Sequence, residues 1–389
     1  MLSGSERLFM TSNRSVPFYS GAASVRRQWT ELSGLIRQSA ARGTFVSGPL
    51  AIELEERVKQ YTGARNAIAC GNGTDALSLM LQAAGVGPGD EVIVPAYTFF
   101  ATASCVAHVG AEPVFVDVDP TSYAIDPEAV RSAIGPRTKA IMAVHLFHQM
   151  ADIAVLRDIA EQHGLELFED SAEAIGMRAA GRHAGLWGRA GVLSFFPTKT
   201  LGALGDAGMV LTDDDELAER VSRLRTAGGT TGHWPGSLTV GTHSVCDEIQ
   251  AAVLLTRLNV LDQDINRRAE LAAHYTRRLA ALSPVVATPV MAQSKEPGAP
   301  VWYVYLIETD HRAELIRYLT DHQVGTEIYY PRPLTEQPCF RDLAGARHPV
   351  PVAKAAAKRA VGLPLYPDLT DEQVDRVCDL IHAFHGGAR

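Results

Sequence analysis

Cysteine is scarce in this 389-residue sequence, and its five copies are scattered singly along the chain: Cys70, Cys105, Cys246, Cys339 and Cys378. Their number is odd and no C-x-x-C pair occurs, which argues against a disulfide framework and against a zinc site. This cysteine pattern is best explained by reduced thiols, as in a cytosolic protein. We therefore expect a cytoplasmic protein that holds no metal.

Runs of basic residues and long apolar runs are also missing. With 36 Lys and Arg against 44 Asp and Glu, the net charge of −8 argues against a nucleic-acid partner. The first fifteen residues lack the apolar core of a signal peptide. The uncharged stretch 92–110 is interrupted by polar side chains and by Pro95. We expect a strand, a loop and a helix there rather than a membrane span.

What is present is an alternation of short β-branched runs with helical patterns. The predicted strands are 66–70, 91–95, 113–118, 139–147, 165–170, 191–196 and 208–213. Such alternation predicts an α/β fold with a mostly parallel sheet that helices cover on both faces. After residue 249 a long helical stretch, a strand and a helix predict a smaller α+β domain. We place the large domain at 16–265 and the C-terminal domain at 266–389.

The segment "GNGTDAL" (71–77) follows the first predicted strand and opens a helix at Thr74. The backbone N–H groups and the dipole at such a helix start can hold a phosphate. Three interpretations remain open at this point. The segment holds a single phosphate, or it is an ordinary strand-to-helix turn. Alternatively it is a dinucleotide fingerprint, with Asp90 or Glu91 on the ribose, as in an NAD-dependent oxidoreductase.

Two further residues carry chemistry. Asp170 ends a predicted buried strand, where ligands bind in open α/β sheets. Capping of the next helix and pairing with the N–H of a neighbouring strand are alternative explanations. Lys199 lies in the apolar, glycine-rich stretch "SFFPTKTLGALGDAG" (194–208). Burial there favours a neutral, nucleophilic amine, whereas a head group that extends to solvent is the alternative. A phosphate site, an acid at a strand end and a desolvated lysine are together what pyridoxal 5′-phosphate requires.

These motifs occur in order with "PAYTFFATA" (95–103), "DEIQAA" (247–252) and "YYPRPLTEQPCF" (329–340). Over nearly the whole chain they resemble the DegT/DnrJ/EryC1/StrS aminotransferases. The resemblance implies a fold-type I pyridoxal phosphate transferase, in which a large domain with a mostly parallel mixed sheet precedes a smaller α+β domain. It also implies a homodimer whose active sites lie at the subunit interface.

The resemblance implies a role for each matching residue. Lys199 corresponds to the lysine that forms the Schiff base with the cofactor and shuttles the proton. Asp170 corresponds to the partner of the pyridine nitrogen, and Phe99 to the aromatic residue stacked on the ring. The residues that correspond to phosphate-binding groups are Gly73, Thr74 and Ser194.

Three positions depart from the family pattern. Glu173 stands where Gln or His usually meets the ring oxygen of the cofactor, and His243 stands where an asparagine reaches the phosphate in the partner subunit. His148 stands where glycine is common, in a segment near the active site of relatives. The substrate contacts expected from loop positions are His148, Trp234, Tyr329 and Arg332.

The resemblance implies an aminotransferase that moves an amino group from L-glutamate or L-glutamine to a keto sugar, with the cofactor alternating between its pyridoxal and pyridoxamine forms. We expect a nucleotide-linked acceptor, such as a dTDP-keto-deoxysugar, in amino-sugar or secondary-metabolite biosynthesis. An unlinked keto-cyclitol is the alternative acceptor. An NAD-dependent oxidoreductase and a non-catalytic cofactor binder are alternatives of other classes, although the first leaves Lys199 and Asp170 without a role.

Overall fold

The computed structural model describes residues 15–229 and 236–386. Within them the α-helices are α1 (Ala22–Arg42), α2 (Pro49–Thr62), α3 (Gly73–Ala83), α4 (Ala101–His108), α5 (Pro127–Ala133), α6 (Ile153–His163), α7 (Asp215–Leu224), α8 (Glu248–Leu258), α9 (Leu261–Leu279), α10 (Arg312–Asp321), α11 (Pro351–Arg359) and α12 (Asp371–Gly386). The strands are β1 (Asn66–Cys70), β2 (Glu91–Pro95), β3 (Glu112–Val116), β4 (Thr138–Val144), β5 (Glu166–Asp170), β6 (Arg178–Ala179), β7 (Arg182–His183), β8 (Ala190–Ser194), β9 (Gly208–Thr212), β10 (Gly298–Ala299), β11 (Tyr305–Glu308) and β12 (Ala360–Leu363).

Seven of these strands form the central sheet, in the order β1-β9-β8-β5-β4-β2-β3. The strands β2, β3, β4, β5 and β8 run parallel, whereas β9 is antiparallel to both of its neighbours, β8 and β1. The predicted mostly parallel sheet is therefore confirmed. Because β1 points the same way as the parallel strands, residues that follow any of these strands meet at one edge of the sheet.

Helices cover both faces of the central sheet, because successive strand residues point to opposite faces. In β1, Ile68 and Cys70 belong to a buried cluster with side chains of α3 and α7. Ala67 and Ala69 belong instead to a cluster with side chains of α2 and α8. In β2, Ile93 packs with α5 and α6. Burial on both faces explains why these strands appear in the sequence as continuous apolar runs.

The helix α2 begins against a buried carboxylate from α8. Glu248 accepts the backbone N–H groups of Gly48, Leu50 and Ala51 at 3.2, 3.1 and 2.9 Å. These bonds satisfy donors that have no partner within the helix, and the negative charge suits the positive end of the helix dipole. The motif "DEIQAA" therefore has a structural role in joining these two helices.

The C-terminal part of the chain has a buried cluster of its own. It joins β11 and β12 to α9, α10 and α12 through side chains that include Leu319 and Ile381, and Val16 from the N-terminal segment belongs to it. The predicted domain boundary at residue 265 falls inside α9, which runs without interruption from Leu261 to Leu279. The division into domains at that residue stays a prediction.

Some element boundaries differ from the predicted ones. The strand predicted over 139–147 ends at Val144, because the chain then turns at the edge of the sheet and Phe147 adopts a left-handed conformation with φ of 61°. The helical stretch after residue 249, for which one break was an open alternative, is broken once, since α8 ends at Leu258 and α9 begins at Leu261.

The uncharged stretch 92–110 forms most of β2, a turn and α4, as predicted. The helix α4 is 8 residues long. Among the residues that the structure describes, no helix combines the length and the apolar character needed to cross a membrane.

Candidate active site

Asp170 is the last residue of β5, at the edge where the parallel strands end. It is 4% exposed, and its oxygens accept from Thr102 Oγ1 at 2.7 Å and from the Ala172 N–H at 3.3 Å. Burial raises the pKa of Asp170, and these two donors oppose the rise because they favour the charged form. The next α-helix begins only at Asp215, so the alternative that Asp170 caps a helix is wrong.

Lys199 lies in the turn that connects β8 to β9. Its Nζ donates to Glu173 Oε1 at 3.3 Å and lies 4.4 Å from the centroid of the Tyr303 ring. Burial lowers the pKa of Lys199, but Tyr303, Glu173 and Asp170 together outweigh burial, and the pKa is raised. Burial alone therefore does not set the pKa of this amine, because the acidic groups that face it favour the ammonium. The solvent-extended alternative is wrong, since the side chain is 15% exposed.

Glu173 is buried and faces the lysine. Its Oε2 accepts the backbone N–H of Phe147 at 2.8 Å. Its Oε1 accepts from Lys199 and, at 3.4 Å, from the hydroxyl of Tyr330. Glu173, one of the positions that depart from the family pattern, therefore lies in direct contact with the amine of Lys199.

The start of α3 is suited to an anion. The Asn72 side chain accepts the N–H of Asp75 at 2.8 Å, and its carbonyl accepts the N–H of Ala76 at 3.1 Å. The N–H groups of Gly73 and Thr74 have no acceptor within residues 15–229 and 236–386. These two donors at the positive end of the helix are available to a phosphate.

Ser194 ends β8 beside this turn. A Cβ added to Gly73 would lie 2.9 Å from Ser194 Cβ and 3.1 Å from its Oγ, so only glycine lets the hydroxyl approach the helix start. A Cβ added to Gly208 would lie 2.4 Å from the carbonyl of Asn72. The fold thus brings together the three predicted phosphate-binding residues, Gly73, Thr74 and Ser194.

Phe99 lies in the turn between β2 and α4, and its side chain is 60% exposed, although large apolar side chains are usually buried. Thr98 of the same turn hydrogen-bonds to Thr102 at 3.0 Å, and Thr102 donates to Asp170. The turn that carries Phe99 is therefore tied to the acid, and the aromatic ring has surface available to a planar ligand.

Two predicted substrate residues, Tyr329 and Arg332, lie at or beside this cleft. The hydroxyl of Tyr329 is 3.4 Å from that of Tyr303. Arg332 is exposed and forms no ion pair within the part of the chain that the structure describes. It lies close to Leu334, whose N–H donates to the Ala96 carbonyl just beyond β2 at 2.8 Å.

His148 is buried away from solvent. Its ring stacks on Trp302, with centroids 4.4 Å apart and planes 7° apart, and its Nε2 lies 3.3 Å from the Val290 carbonyl. Burial lowers the pKa of His148 to about 4. These contacts give His148 a packing role, and we do not propose it as a substrate contact.

His243 is exposed and lies beside the phosphate turn. Its neighbour Ser244 accepts the Gly71 N–H at 3.0 Å and donates to Asp75 at 2.7 Å. Trp234, the fourth predicted substrate contact, lies outside the described residues.

Sequence analysis missed two tyrosines of the site. Tyr303 presents its ring to Lys199, and Tyr330 donates its hydroxyl to Glu173. The pattern "VWYVYLIET" indicates a strand, but it does not reveal that Tyr303 precedes the strand and faces the cleft. The concentration of tyrosines in "VWYVY" and "YYP" was the only sequence feature that pointed to them.

The geometry contradicts the dinucleotide interpretation of "GNGTDAL". This segment follows the carboxyl end of β1, whereas Glu91 is the first residue of β2 and lies at the opposite edge of the sheet. Asp90 accepts the Gly87 N–H at 3.0 Å, and Glu91 pairs with Arg137 at 2.6 Å. Neither acid can reach a ribose beside the turn, so the NAD-dependent alternative is wrong.

The model of the DegT/DnrJ/EryC1/StrS aminotransferase family matches residues 29–382. The chain belongs to this family. A relative from Geobacillus stearothermophilus, named pleiotropic regulatory protein, is 42% identical over 91% of this chain and 94% of its own. The dTDP-3-amino-3,4,6-trideoxy-alpha-D-glucose transaminase of Streptomyces venezuelae is 38% identical over 94% of this chain and 95% of its own. The solved structure of S. venezuelae DesV with a ketimine intermediate has a TM-score of 0.90 at 37% identity, covering 96% of this chain and 99% of that one.

As a DegT/DnrJ/EryC1/StrS aminotransferase, the chain is an enzyme that depends on pyridoxal phosphate. The site fits this cofactor. Gly73 leaves the space that lets Ser194 lie against the helix start, and Asp170 forms no ion pair among the described residues, so its charge is available to a ring nitrogen. The non-catalytic alternative is therefore wrong.

Proposed function

We propose that this aminotransferase moves an amino group from L-glutamate or L-glutamine to the carbonyl carbon of a nucleotide-linked keto sugar. One observation carries the proposal: Lys199, Asp170 and the Gly73 turn meet at one edge of the sheet. They match the aldehyde, the ring nitrogen and the phosphate of the cofactor. The similarity to the S. venezuelae dTDP-sugar transaminase supports a nucleotide-linked acceptor.

In this proposal the residues of the chain hold the cofactor and move a proton. When bound, pyridoxal phosphate supplies a ring that withdraws electrons from the reacting substrate carbon. The Asp170 carboxylate would hold a proton on the ring nitrogen, and the exposed ring of Phe99 would be available to one face of the cofactor. Lys199 would anchor the cofactor through Nζ, and the same Nζ would move the proton during amino transfer. The groups that hold the phosphate are Gly73, Thr74 and Ser194.

Acceptor binding is proposed to involve Tyr329 and Arg332. Because Arg332 is exposed and has no ion pair in the described part of the chain, its guanidinium can bind the diphosphate of a nucleotide sugar through two parallel hydrogen bonds. An unlinked keto-cyclitol has no diphosphate and leaves this arginine without a partner. The nucleotide-linked acceptor is therefore the better fit.

We further propose a homodimer with shared active sites. Several large apolar side chains are exposed around the lysine turn and α8, namely Phe45, Val46, Phe196, Leu204 and Ile249. Val46 bridges to Asp247, and the Leu204 N–H donates to Gln250, which brings these side chains together. Such a surface is typical of a subunit interface. In the dimer His243 would reach the phosphate of the partner subunit.

A cytoplasmic location and the two-domain division at residue 265 are proposed with it. All five cysteines are unpaired, as expected in a reducing compartment. The separate buried cluster of the C-terminal elements supports a second domain. We also propose a role in amino-sugar biosynthesis, with antibiotic biosynthesis as one such pathway, because the product of the proposed reaction is an amino sugar.

The acceptor is tested with full-length enzyme loaded with pyridoxamine phosphate. A dTDP-keto sugar, the same keto sugar without nucleotide, and a keto-cyclitol are added separately. Visible absorbance then reports the return of the pyridoxal form. We expect the dTDP-keto sugar to restore the absorbance of the pyridoxal form fastest. We expect Arg332→Ala to slow the reaction with this acceptor and not the reactions with the other two.

Lys199→Ala is the control, and we expect it to give no multiple turnover. If the keto-cyclitol restored the absorbance of the pyridoxal form and the dTDP-keto sugar did not, a nucleotide-linked substrate would be excluded. If the protein bound the cofactor but none of the three keto compounds converted the pyridoxamine form back to the pyridoxal form, the proposed aminotransferase reaction would be excluded.

A further inference from the structure

The amine of Lys199 lies between two groups that suit a cation. On one side Glu173 Oε1 is 3.3 Å from Nζ. On the other side the ring face of Tyr303 is 4.4 Å from Nζ, within the distance at which an ammonium is attracted to an aromatic ring. The two groups come from distant parts of the chain, and the lysine side chain contacts both.

The carboxylate of Glu173 is held firmly in this orientation. Its Oε2 accepts the Phe147 N–H, and its Oε1 accepts the Tyr330 hydroxyl. Phe147 and Tyr330 both have left-handed backbones, with φ of 61° and 57°, and both are bulky residues that rarely adopt this conformation. Backbone strain of this kind persists where surrounding structure enforces it, often at functional sites.

The ring of Tyr303 is also fixed. Its hydroxyl lies 3.1 Å from Thr198 Oγ1 and 3.4 Å from the Tyr329 hydroxyl. Its backbone N–H donates to the Phe147 carbonyl at 2.8 Å, and its carbonyl accepts from buried Arg268 at 3.1 Å. The ring therefore presents a fixed face to the lysine rather than a mobile one.

We propose that Glu173 and Tyr303 are positioning residues that form a holding site for the Lys199 ammonium whenever the lysine is not bonded to the cofactor. This inference rests on the proposed function, in which the lysine is released and recovered in each catalytic cycle. A fixed holding site keeps the free amine within reach of the substrate carbon. It also explains why this chain has a glutamate where its family usually has a neutral residue or a histidine.

The groups that face Lys199 are acidic or aromatic. Asp170 and Glu173 approach it from the end of β5 and the turn beyond, Tyr303 from the segment before β11, and Tyr330 through Glu173. Burial lowers the pKa of the lysine, and these neighbours raise it to above its ordinary value. Replacement of the Glu173 charge should therefore lower the pKa of Lys199.

The test measures the chemical reactivity of Lys199 without turnover. Full-length enzyme is loaded with pyridoxamine phosphate, which has no aldehyde and leaves the lysine unbonded. It is labelled briefly with acetic anhydride between about pH 7 and about pH 10, since only the neutral amine reacts. Mass spectrometry of the peptide that contains Lys199 gives the extent of labelling at each pH.

We expect Glu173→Gln to raise the labelling of Lys199 at a given pH by about tenfold or more, because an opposite charge at this distance shifts a pKa by about one unit or more. The amide retains an oxygen for the Phe147 N–H, so the fold around it is kept. An unchanged labelling profile would overturn the proposal.

Tyr303→Phe keeps the ring and removes the hydroxyl, whose charge also raises the pKa of Lys199, so we expect labelling between that of the unaltered enzyme and that of Tyr303→Leu. We expect Tyr303→Leu to raise labelling at a given pH. Reduced labelling in Tyr303→Leu would mean that the ring acts only by excluding water, and would remove Tyr303 from the holding site. The Glu173→Gln result stands even where Tyr303→Leu does not fold.

The pyridoxal form separates this inference from the proposed function. If Lys199 anchors the cofactor, loading with pyridoxal phosphate protects it from labelling in every variant that binds the cofactor. Loss of protection would contradict the proposed function, whereas intact protection with identical profiles for the unaltered enzyme and Glu173→Gln would contradict the holding site alone.

Discussion

The charged form of Asp170 is favoured by a side chain on a neighbouring element. Thr102 of α4 donates to Asp170 Oδ2 at 2.7 Å, while burial pushes the pKa of the acid upwards. A hydrogen bond to a charged group contributes about 1.5–3 kcal/mol. Thr102 is therefore an indirect contributor to cofactor binding, through the acid that it stabilises.

We expect Thr102→Val to weaken retention of pyridoxal phosphate by about 10- to 100-fold, because the acid loses that bond. Asp170→Asn should weaken retention further, since the charge itself is removed. Equilibrium dialysis of the cofactor measures both effects. Thr98→Val is the control, because Thr98 contacts Thr102 and not the acid. Equal retention in Thr102→Val and the unaltered enzyme would contradict this role of the threonine.

At the residue scale, the sequence located the chemistry but not all of its neighbours. Lys199, Asp170 and Gly73 could be found because each lies in a local pattern: an apolar glycine-rich run, a strand end, and a strand-to-helix turn. Tyr303 and Glu173 act on the lysine through contacts that depend on the folded chain. The raised pKa of Lys199 followed from those contacts, and burial alone predicted the opposite direction.

Among the elements, β9 supports the phosphate turn directly. A Cβ on Gly208, the first residue of β9, would lie 2.4 Å from the Asn72 carbonyl and 2.6 Å from the Gly73 nitrogen. No real Cβ approaches backbone atoms so closely, so a larger residue there must displace the start of α3. The positions of the Gly73 and Thr74 N–H groups therefore depend on the absence of a Cβ at Gly208.

We expect Gly208→Ala to weaken binding of pyridoxal phosphate by about tenfold, since overpacking of this kind costs about 1–3 kcal/mol. Gly205→Ala is the matched control, because its Cβ would meet only the Gln250 side chain, at 3.2 Å. Fluorescence titration with the cofactor measures both variants. An undiminished affinity in Gly208→Ala would mean that the turn does not hold the phosphate.

The strands of the central sheet were predictable because burial on both faces leaves continuous apolar runs. The start of α5 was predictable too, since Asp126 accepts the Glu128 N–H at 2.9 Å and Pro127 follows it. The end of β4 was not, because Phe147 is apolar and continues the pattern while its backbone turns away. The position of the break between α8 and α9 could not be predicted, because apolar spacing continues across it.

Over the whole molecule, two buried histidines make stability depend on pH. Burial lowers the pKa of His148 and of His183 to about 4, from an ordinary value of 6.5. Between these values the unfolded chain binds more protons than the folded chain. Stability therefore falls as the pH falls through this window, by up to about 3 kcal/mol for each ring.

We expect the thermal unfolding temperature of the holoenzyme to decrease as the pH is lowered from about 6.5 to about 4. His148→Phe keeps the stack on Trp302 and cannot titrate, so its midpoint should fall less steeply. His108→Gln, at an exposed position, is the control and should leave the slope unchanged. Identical slopes for His148→Phe and the unaltered enzyme would contradict the burial of a neutral ring.

The attachment of pyridoxal phosphate to Lys199 is tested most directly by reduction of the full-length holoenzyme with borohydride, followed by peptide mass analysis. Borohydride reduces a carbon–nitrogen double bond between the cofactor and a lysine to a stable carbon–nitrogen single bond. We expect the added mass on the peptide that contains Lys199, and none on Lys199→Ala. An adduct on a different lysine, or no adduct on a protein saturated with pyridoxal phosphate, would contradict the account.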